Sequence, residues 1–194
     1  MIHPVRLDEP TATSLARGST FSTIGLAAQG ILRIATSLLV GHLAGKAELG
    51  VVASAIATAL TLAVLWPTST GSAASKFLAR ARGAGSTDET LSTAAHLRRR
   101  STETGLLLGV ASLPIWVVID HGSWAAALSV AALTIAYSGY SFTRGIQFGA
   151  GQVLRATCWD VTSVVIGLAT LVVLLLLGVR GPVLVLPLVL TYGL

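Results

Sequence analysis

The chain has 194 residues, of which 53% are hydrophobic and only 11% charged, and its mean hydropathy is +0.79. A soluble domain carries roughly 25% charged residues, so this composition cannot clothe a water-soluble globule, and lipid is the natural solvent for its outer surface. The formal charge of +5 sits in short segments between apolar runs, a pattern of loops at a membrane surface that excludes a nucleic-acid-binding face.

The first segment, residues 1–18, carries Arg6, Asp8, Glu9, Pro10 and Arg17. Acids and a proline stand where a secretory signal needs an apolar core, so these residues read as a solvated cytoplasmic tail. Residues 19–194 read as a transmembrane domain. Backbone polar groups in hydrocarbon must bond to one another, which makes each span a helix of about 20 residues. The first span covers about 19–43, interrupted only by Arg33. The second covers about 49–75, with Pro67 kinking or ending its regular helix. Gly83, Gly85 and Ser86 then break the chain, and Ser86 with Glu89 makes a capping box. Asp88 and Glu89 suit the first turn of a helix that runs from about Thr87 through Arg100 into a third span, about 104–119. Asp120-His121-Gly122 makes a tight turn into a fourth span, about 123–142. The fifth, about 161–179, contains the run Leu171-Val172-Val173-Leu174-Leu175-Leu176-Leu177. Gly181-Pro182 opens a sixth, 181–194, still apolar and incomplete at Leu194. The expected fold is all-α, a polytopic transmembrane helix bundle of about six spans.

Orientation follows from the lysines and arginines on alternate sides. One side holds Arg6, Arg17, Lys76, Arg80, Arg82, Arg98, Arg99, Arg100, Arg144 and Arg155, and the other holds only Lys46 and Arg180. Ten against two places the N-terminus in the cytoplasm. Trp66, Trp116, Trp124 and Trp159 fall near expected span ends, where indole rings favour the interface. Arg98-Arg99-Arg100 reads first as an anchor on anionic lipid, and second as a contact for a phosphorylated substrate.

Nothing here suggests an enzyme. The eight carboxylates are scattered, and the four histidines lie in four regions without metal-ligand spacing. There is no Walker phosphate loop and no nucleophile elbow, so neither catalytic residues, a cofactor nor a metal is expected. The lone Cys158 excludes an intramolecular disulfide framework and reads as a small buried hydrophobe. The glycines of residues 145–151 follow no strand, so close helix packing or a flexible helix end explains them better than dinucleotide binding. Gly41 and Gly45 form a weak GxxxG.

Arg33 carries the most information. A guanidinium midway along a span costs about 2.5–3.5 kcal/mol on insertion scales, and no acid is expected inside any other span. Asp160, at the expected cytoplasmic edge of the fifth span, is the nearest partner by type. An unpaired Arg33 should face a watery cavity, where its fork can hold a phosphate or carboxylate; the plainer alternatives are snorkelling to an interface or pairing with helix-end carbonyls. Lys76, after the small residues Gly71, Ser72, Ala73 and Ala74, reads either as a second cationic contact for an anionic lipid head group or as an inner-leaflet anchor.

Three segments carry a family resemblance. Residues 25–50 end one helix in Leu38-Leu39-Val40-Gly41-His42-Leu43-Ala44-Gly45 and open the next with Glu48-Leu49-Gly50. Ser72-Ala73-Ala74-Ser75-Lys76-Phe77-Leu78-Ala79-Arg80-Ala81 combines small residues, a basic residue and Phe-x-Ala. Thr143-Arg144-Gly145-Ile146-Gln147-Phe148-Gly149 leads through Arg155 and Trp159-Asp160 into the fifth span. Together they resemble the N-terminal half of a Wzx-like polysaccharide flippase, within the superfamily of multidrug, oligosaccharidyl-lipid and polysaccharide exporters. The resemblance implies one lobe of a two-lobe transporter in a bacterial cytoplasmic (inner) membrane. It flips an isoprenoid-pyrophosphate-linked saccharide by alternating access, with Arg33 and Lys76 as cationic substrate contacts. The partners implied are the bilayer, the lipid-linked anionic saccharide, and a second lobe or further copy of the chain. Members of the family have both lobes in one chain, so a truncated product, a fragment or half of a split transporter is expected here. Two other readings stay open: a multidrug or cation-coupled efflux protein of the same superfamily, and a non-transporting scaffold of an envelope-polysaccharide system.

Overall fold

The computed structural model describes residues 12–85, 87–119 and 123–194. Most of the expected tail, the Ser86 cap and the Asp120-His121-Gly122 turn lie outside them. The described residues form seven α-helices: α1 (Ala12–Leu43), α2 (Lys46–Leu65), α3 (Pro67–Gly83), α4 (Thr87–Ile119), α5 (Trp124–Gly149), α6 (Val153–Leu176) and α7 (Leu186–Gly193), the last preceded by a 3-10 segment, Gly181–Val185. Five stretches, in α1, α2, α4, α5 and α6, are long and apolar enough to cross a membrane, and Gly181–Gly193 is a shorter apolar element. Large apolar side chains such as Ile34, Leu107, Val118, Val165 and Leu176 face outward. An all-α, multi-pass membrane bundle is the result.

The helices are longer than hydropathy alone implies, because polar ends extend past the apolar centres. The expected second span is two helices: α2 stops at Leu65, Trp66 leaves helical geometry, and Pro67 takes the first position of α3, where its missing N–H is no loss. The 33 residues of α4 make a rod about 50 Å long at about 1.5 Å per residue, continuous from the polar segment into the third span. The α6 helix begins at Val153, so Trp159 and Asp160 lie about two turns inside it and not at its edge.

At the centre, α5 packs against α2, α3, α4, α6 and α7, while α1 lies along α6 and touches α2. Among the described residues, the α1 backbone does not closely approach α3 or α5. The main core joins Leu32, Val52, Ala55, Ala59, Val130, Leu133, Leu171 and Leu188. Alanines four residues apart on α2 let its neighbours come close. A second cluster, Ala74, Leu78 and Phe142, holds α3 to α5. There the glycines of the 145–151 stretch act as packing surface: a Cβ on Gly145 would strike the Gly71 backbone, and one on Gly149 would lie 2.8 Å from the Ser75 carbonyl oxygen.

Two expectations are corrected. Trp116 is buried, 2% exposed, in the core, whereas Trp66, Trp124 and Trp159 are exposed. Although it stands about one turn before the end of α4, it shares a helix face with Gly105, Gly109 and Ser112, and that face meets the interior. Cys158 is exposed, because the inner face of α6 is set by Ala156, Thr157, Asp160 and Ser163. Gly45 is the turn residue between α1 and α2, with φ +103°, a left-handed conformation that glycine takes without strain.

At the opposite end from Lys76, the Glu48 carboxylate accepts from the Gly181 N–H at 2.7 Å, and Arg180 donates to the Leu43 carbonyl at 3.0 Å. These bonds tie the α1–α2 turn to the α6–α7 connection. Glu48→Ala should lower stability by about 1.5–3 kcal/mol, as expected for a charge-assisted hydrogen bond. Thermal unfolding in detergent beside Lys46→Ala, an exposed neighbour, checks this; equal melting of the two variants would contradict it.

Candidate functional site

Arg33 turns inward. The Nε of Arg33 donates to the Tyr192 hydroxyl at 3.3 Å, and its guanidinium carbon lies 5.8 Å from the centre of the Tyr137 ring. Tyr137, Tyr140 and Tyr192 form one cluster, with ring centres 4.9–6.0 Å apart. This arrangement uses a cation's attraction to an aromatic face, which strengthens in a desolvated site, together with one hydrogen bond to a neutral phenol. The space beside Arg33, bounded by Ile56, Ala59, Leu60, Leu133, Tyr137, Leu188 and Tyr192, is about 10 Å³, room for about one water. The expected roomy hydrated cavity is therefore not what surrounds Arg33; the tyrosines of α5 and α7 take its place. Among the described residues no carboxylate forms an ion pair with it.

Asp160 pairs elsewhere. It is 3% exposed, so the expectation of spans without an interior acid is corrected. The Tyr140 hydroxyl donates to Asp160 Oδ1 at 2.8 Å, and Arg144 Nε lies 3.1 Å from Oδ2. That second contact is out of line for a hydrogen bond, leaving both atoms without an aligned partner among the described residues. Arg144 also donates to the Ser22 carbonyl at 3.4 Å and lies over the Phe148 ring at 4.8 Å. Thr157 donates to the Phe21 carbonyl at 2.8 Å. The absence of a side chain on Gly25 makes this joint of α1, α5 and α6 fit, since a Cβ there would collide with the Asp160 carboxylate.

Lys76 is exposed on α3 and lines a groove of about 460 Å³ with Leu26, Thr68, Ser72, Tyr137, Tyr140 and Arg144 among its walls. The groove lies where α1 stays away from α3. Tyr137 borders both this groove and the small space beside Arg33. The two expected substrate contacts thus border different spaces, joined only in that Tyr137 lines both.

Gln29 and Thr36, four residues before and three after Arg33, are 4% and 1% exposed, and among the described residues their side-chain polar atoms have no hydrogen-bond partner. With Gly25 and Arg33 they make a polar line along the inner face of α1. From the sequence, Arg144 is a topological charge and part of the resemblance, and neither it, Gln29 nor the three tyrosines is expected at the site. The i, i+4, i+7 spacing of Gln29, Arg33 and Thr36 was a usable signal, since helical residues so spaced share a face. Among the described residues, no cluster of His, Cys, Asp and Glu is arranged to hold a metal ion. No protein-family model matches the chain, and neither does a curated protein or a solved structure.

Proposed function

We propose that the chain is one lobe of a flippase that moves an isoprenoid-pyrophosphate-linked saccharide across a bacterial cytoplasmic membrane, with its N-terminus in the cytoplasm. The observation that carries this reading is Arg33, a midspan guanidinium turned into the bundle and met, among the described residues, by tyrosines in place of a carboxylate. A permanent charge at that depth is costly, and a purely structural role would be served better by a carboxylate partner. Phenol hydroxyls and ring faces hold the cation loosely enough to release it to an anion. The head group first meets Lys76 in the groove, and Arg33 becomes accessible when Tyr137 and Tyr192 part. The lipid tail stays in the bilayer throughout, and no covalent step is required of the protein.

The test is translocation of a labelled isoprenoid-pyrophosphate saccharide by the chain reconstituted in liposomes. Arg33→Ala should lower the rate at least tenfold with insertion unchanged, and Arg33→Lys, which keeps charge but loses the planar fork, should recover only part of it. An Arg33→Ala protein that translocates at the wild-type rate rejects the proposal.

A second reading, cation-coupled efflux, is favoured by one observation: Asp160 is an interior carboxylate, the type of group such coupling uses. It ranks second because Asp160 already has Arg144 and Tyr140 as partners.

A further inference from the structure

By sequence alone, Arg144 is one more topological charge in a cytoplasmic connection. Its surroundings suit a different role. It lies inside α5, five residues before the helix ends at Gly149, and its side chain is 14% exposed. A guanidinium has five N–H donors in a planar fork. Here one nitrogen is near Asp160 Oδ2 but out of line, and another reaches the Ser22 carbonyl only at 3.4 Å. This cation is largely buried and, among the described residues, incompletely bonded.

Arg144, like Tyr140, borders two cavities. One is a space of about 320 Å³ with Thr143, Gln147, Trp159, Asp160 and Ser163 in its wall. The other is the groove that holds Lys76, where the hydroxyl residues Thr68, Ser72, Ser75 and Ser141 are also found. The α3–α5 crossing at Gly71 and Gly145 brings the two cations to one groove, because glycine on both helices allows backbone contact. Two cations of different kinds, one a point charge and one a fork, among several hydroxyl donors make a lining suited to a phosphoryl anion. If Arg144 turns toward that anion, Asp160 keeps the Tyr140 hydroxyl at 2.8 Å.

We infer that Lys76 and Arg144 together form a binding site for a pyrophosphate or phosphate group in the groove between α1, α3 and α5, with Asp160 as the partner that Arg144 leaves when the anion arrives. The inference deepens the flippase proposal, on which it rests only for the identity of the group that carries the phosphate. It adds Arg144 as a substrate contact ahead of Arg33 on the entry route.

The experiment measures binding of inorganic pyrophosphate, and separately of an isoprenoid pyrophosphate, to the full chain in nanodiscs of zwitterionic lipid at constant ionic strength. Lys76→Gln should weaken binding at least tenfold. The paired variant Arg144→Gln/Asp160→Asn removes the buried charges together and should weaken it by a similar factor. Lys76 is exposed, so its variant keeps the test decisive if the paired variant does not fold. Wild-type affinity in either folded variant overturns the inference. Binding of both probes marks the phosphate itself as the recognised group, whereas binding of the isoprenoid form alone marks a lipid-borne phosphate; both outcomes support the site. Translocation that persists in variants with unchanged affinity defeats this site and spares the flippase reading. Pyrophosphate binding that depends on Lys76 and Arg144, in a protein that translocates nothing, does the reverse.

Discussion

Replacing Asp160 with alanine should destabilise the bundle by about 3–5 kcal/mol, the usual cost of leaving one member of a buried ion pair alone. Arg144 would remain in the joint of α1, α5 and α6, and Tyr140 would lose the acceptor it reaches at 2.8 Å. The Arg144→Gln/Asp160→Asn variant should recover most of that loss, because two neutral amides of similar size can satisfy each other without charge. Unfolding followed by tryptophan fluorescence measures both, with Trp159 next to Asp160 in sequence. An Asp160→Ala protein as stable as wild type would mean that the pair contributes nothing to holding α6 against α5. Failure of the paired variant to recover stability would point instead to strict geometry at the joint.

Gly145→Ala is expected to be among the most damaging additions of a single methyl group at the described glycines. The added carbon would collide with the Gly71 backbone, which cannot rotate away as a side chain could. Overpacking of this kind costs about 1–3 kcal/mol and occasionally more, and it should also open the groove shared by Lys76 and Arg144. Gly139 makes a sharp comparison. It lies on the same helix, and a methyl group added there would meet nothing within 4 Å, so alanine should stabilise by up to about 1 kcal/mol through helix propensity. Opposite signs for one substitution at two positions of α5 are the expected result. Equal effects would show that the α3–α5 contact is not tight.

The spans were legible because apolar runs and charged breaks are local properties. Pro67 marked the break between α2 and α3 for the same reason: its ring and missing N–H act on its own turn. The site was less legible. Arg33 stood out by depth, yet its hydrogen-bond partner Tyr192 is 159 residues away, and no local pattern links the two. Asp160 was misplaced because hydropathy begins the fifth span at residue 161, whereas α6 begins at Val153. The left-handed Gly151, φ +75°, starts a new helix there, and the charged and polar residues that follow are its first turns. From the sequence, residue type and position put Trp116 at an interface, but its helix face buries it in the core. Arg144 looks like one more cytoplasmic charge. Only the crossing of α3 over α5 brings it to the groove that Lys76 lines.

The shape of α4 has a consequence for the surrounding lipid. Its uncharged part, residues 104–119, is about 24 Å long at about 1.5 Å per residue, and the helix makes up the deficit to a hydrocarbon layer of about 30 Å with the polar turn that precedes it. Arg99 and Arg100, held in part by Glu103 at 2.8 and 3.5 Å, stand at the start of that deficit. Hydrophobic mismatch of this sign is relieved by a thinner bilayer and by long basic side chains reaching outward. A bilayer around this helix therefore thins along one flank, on the side where Arg99 and Arg100 stand.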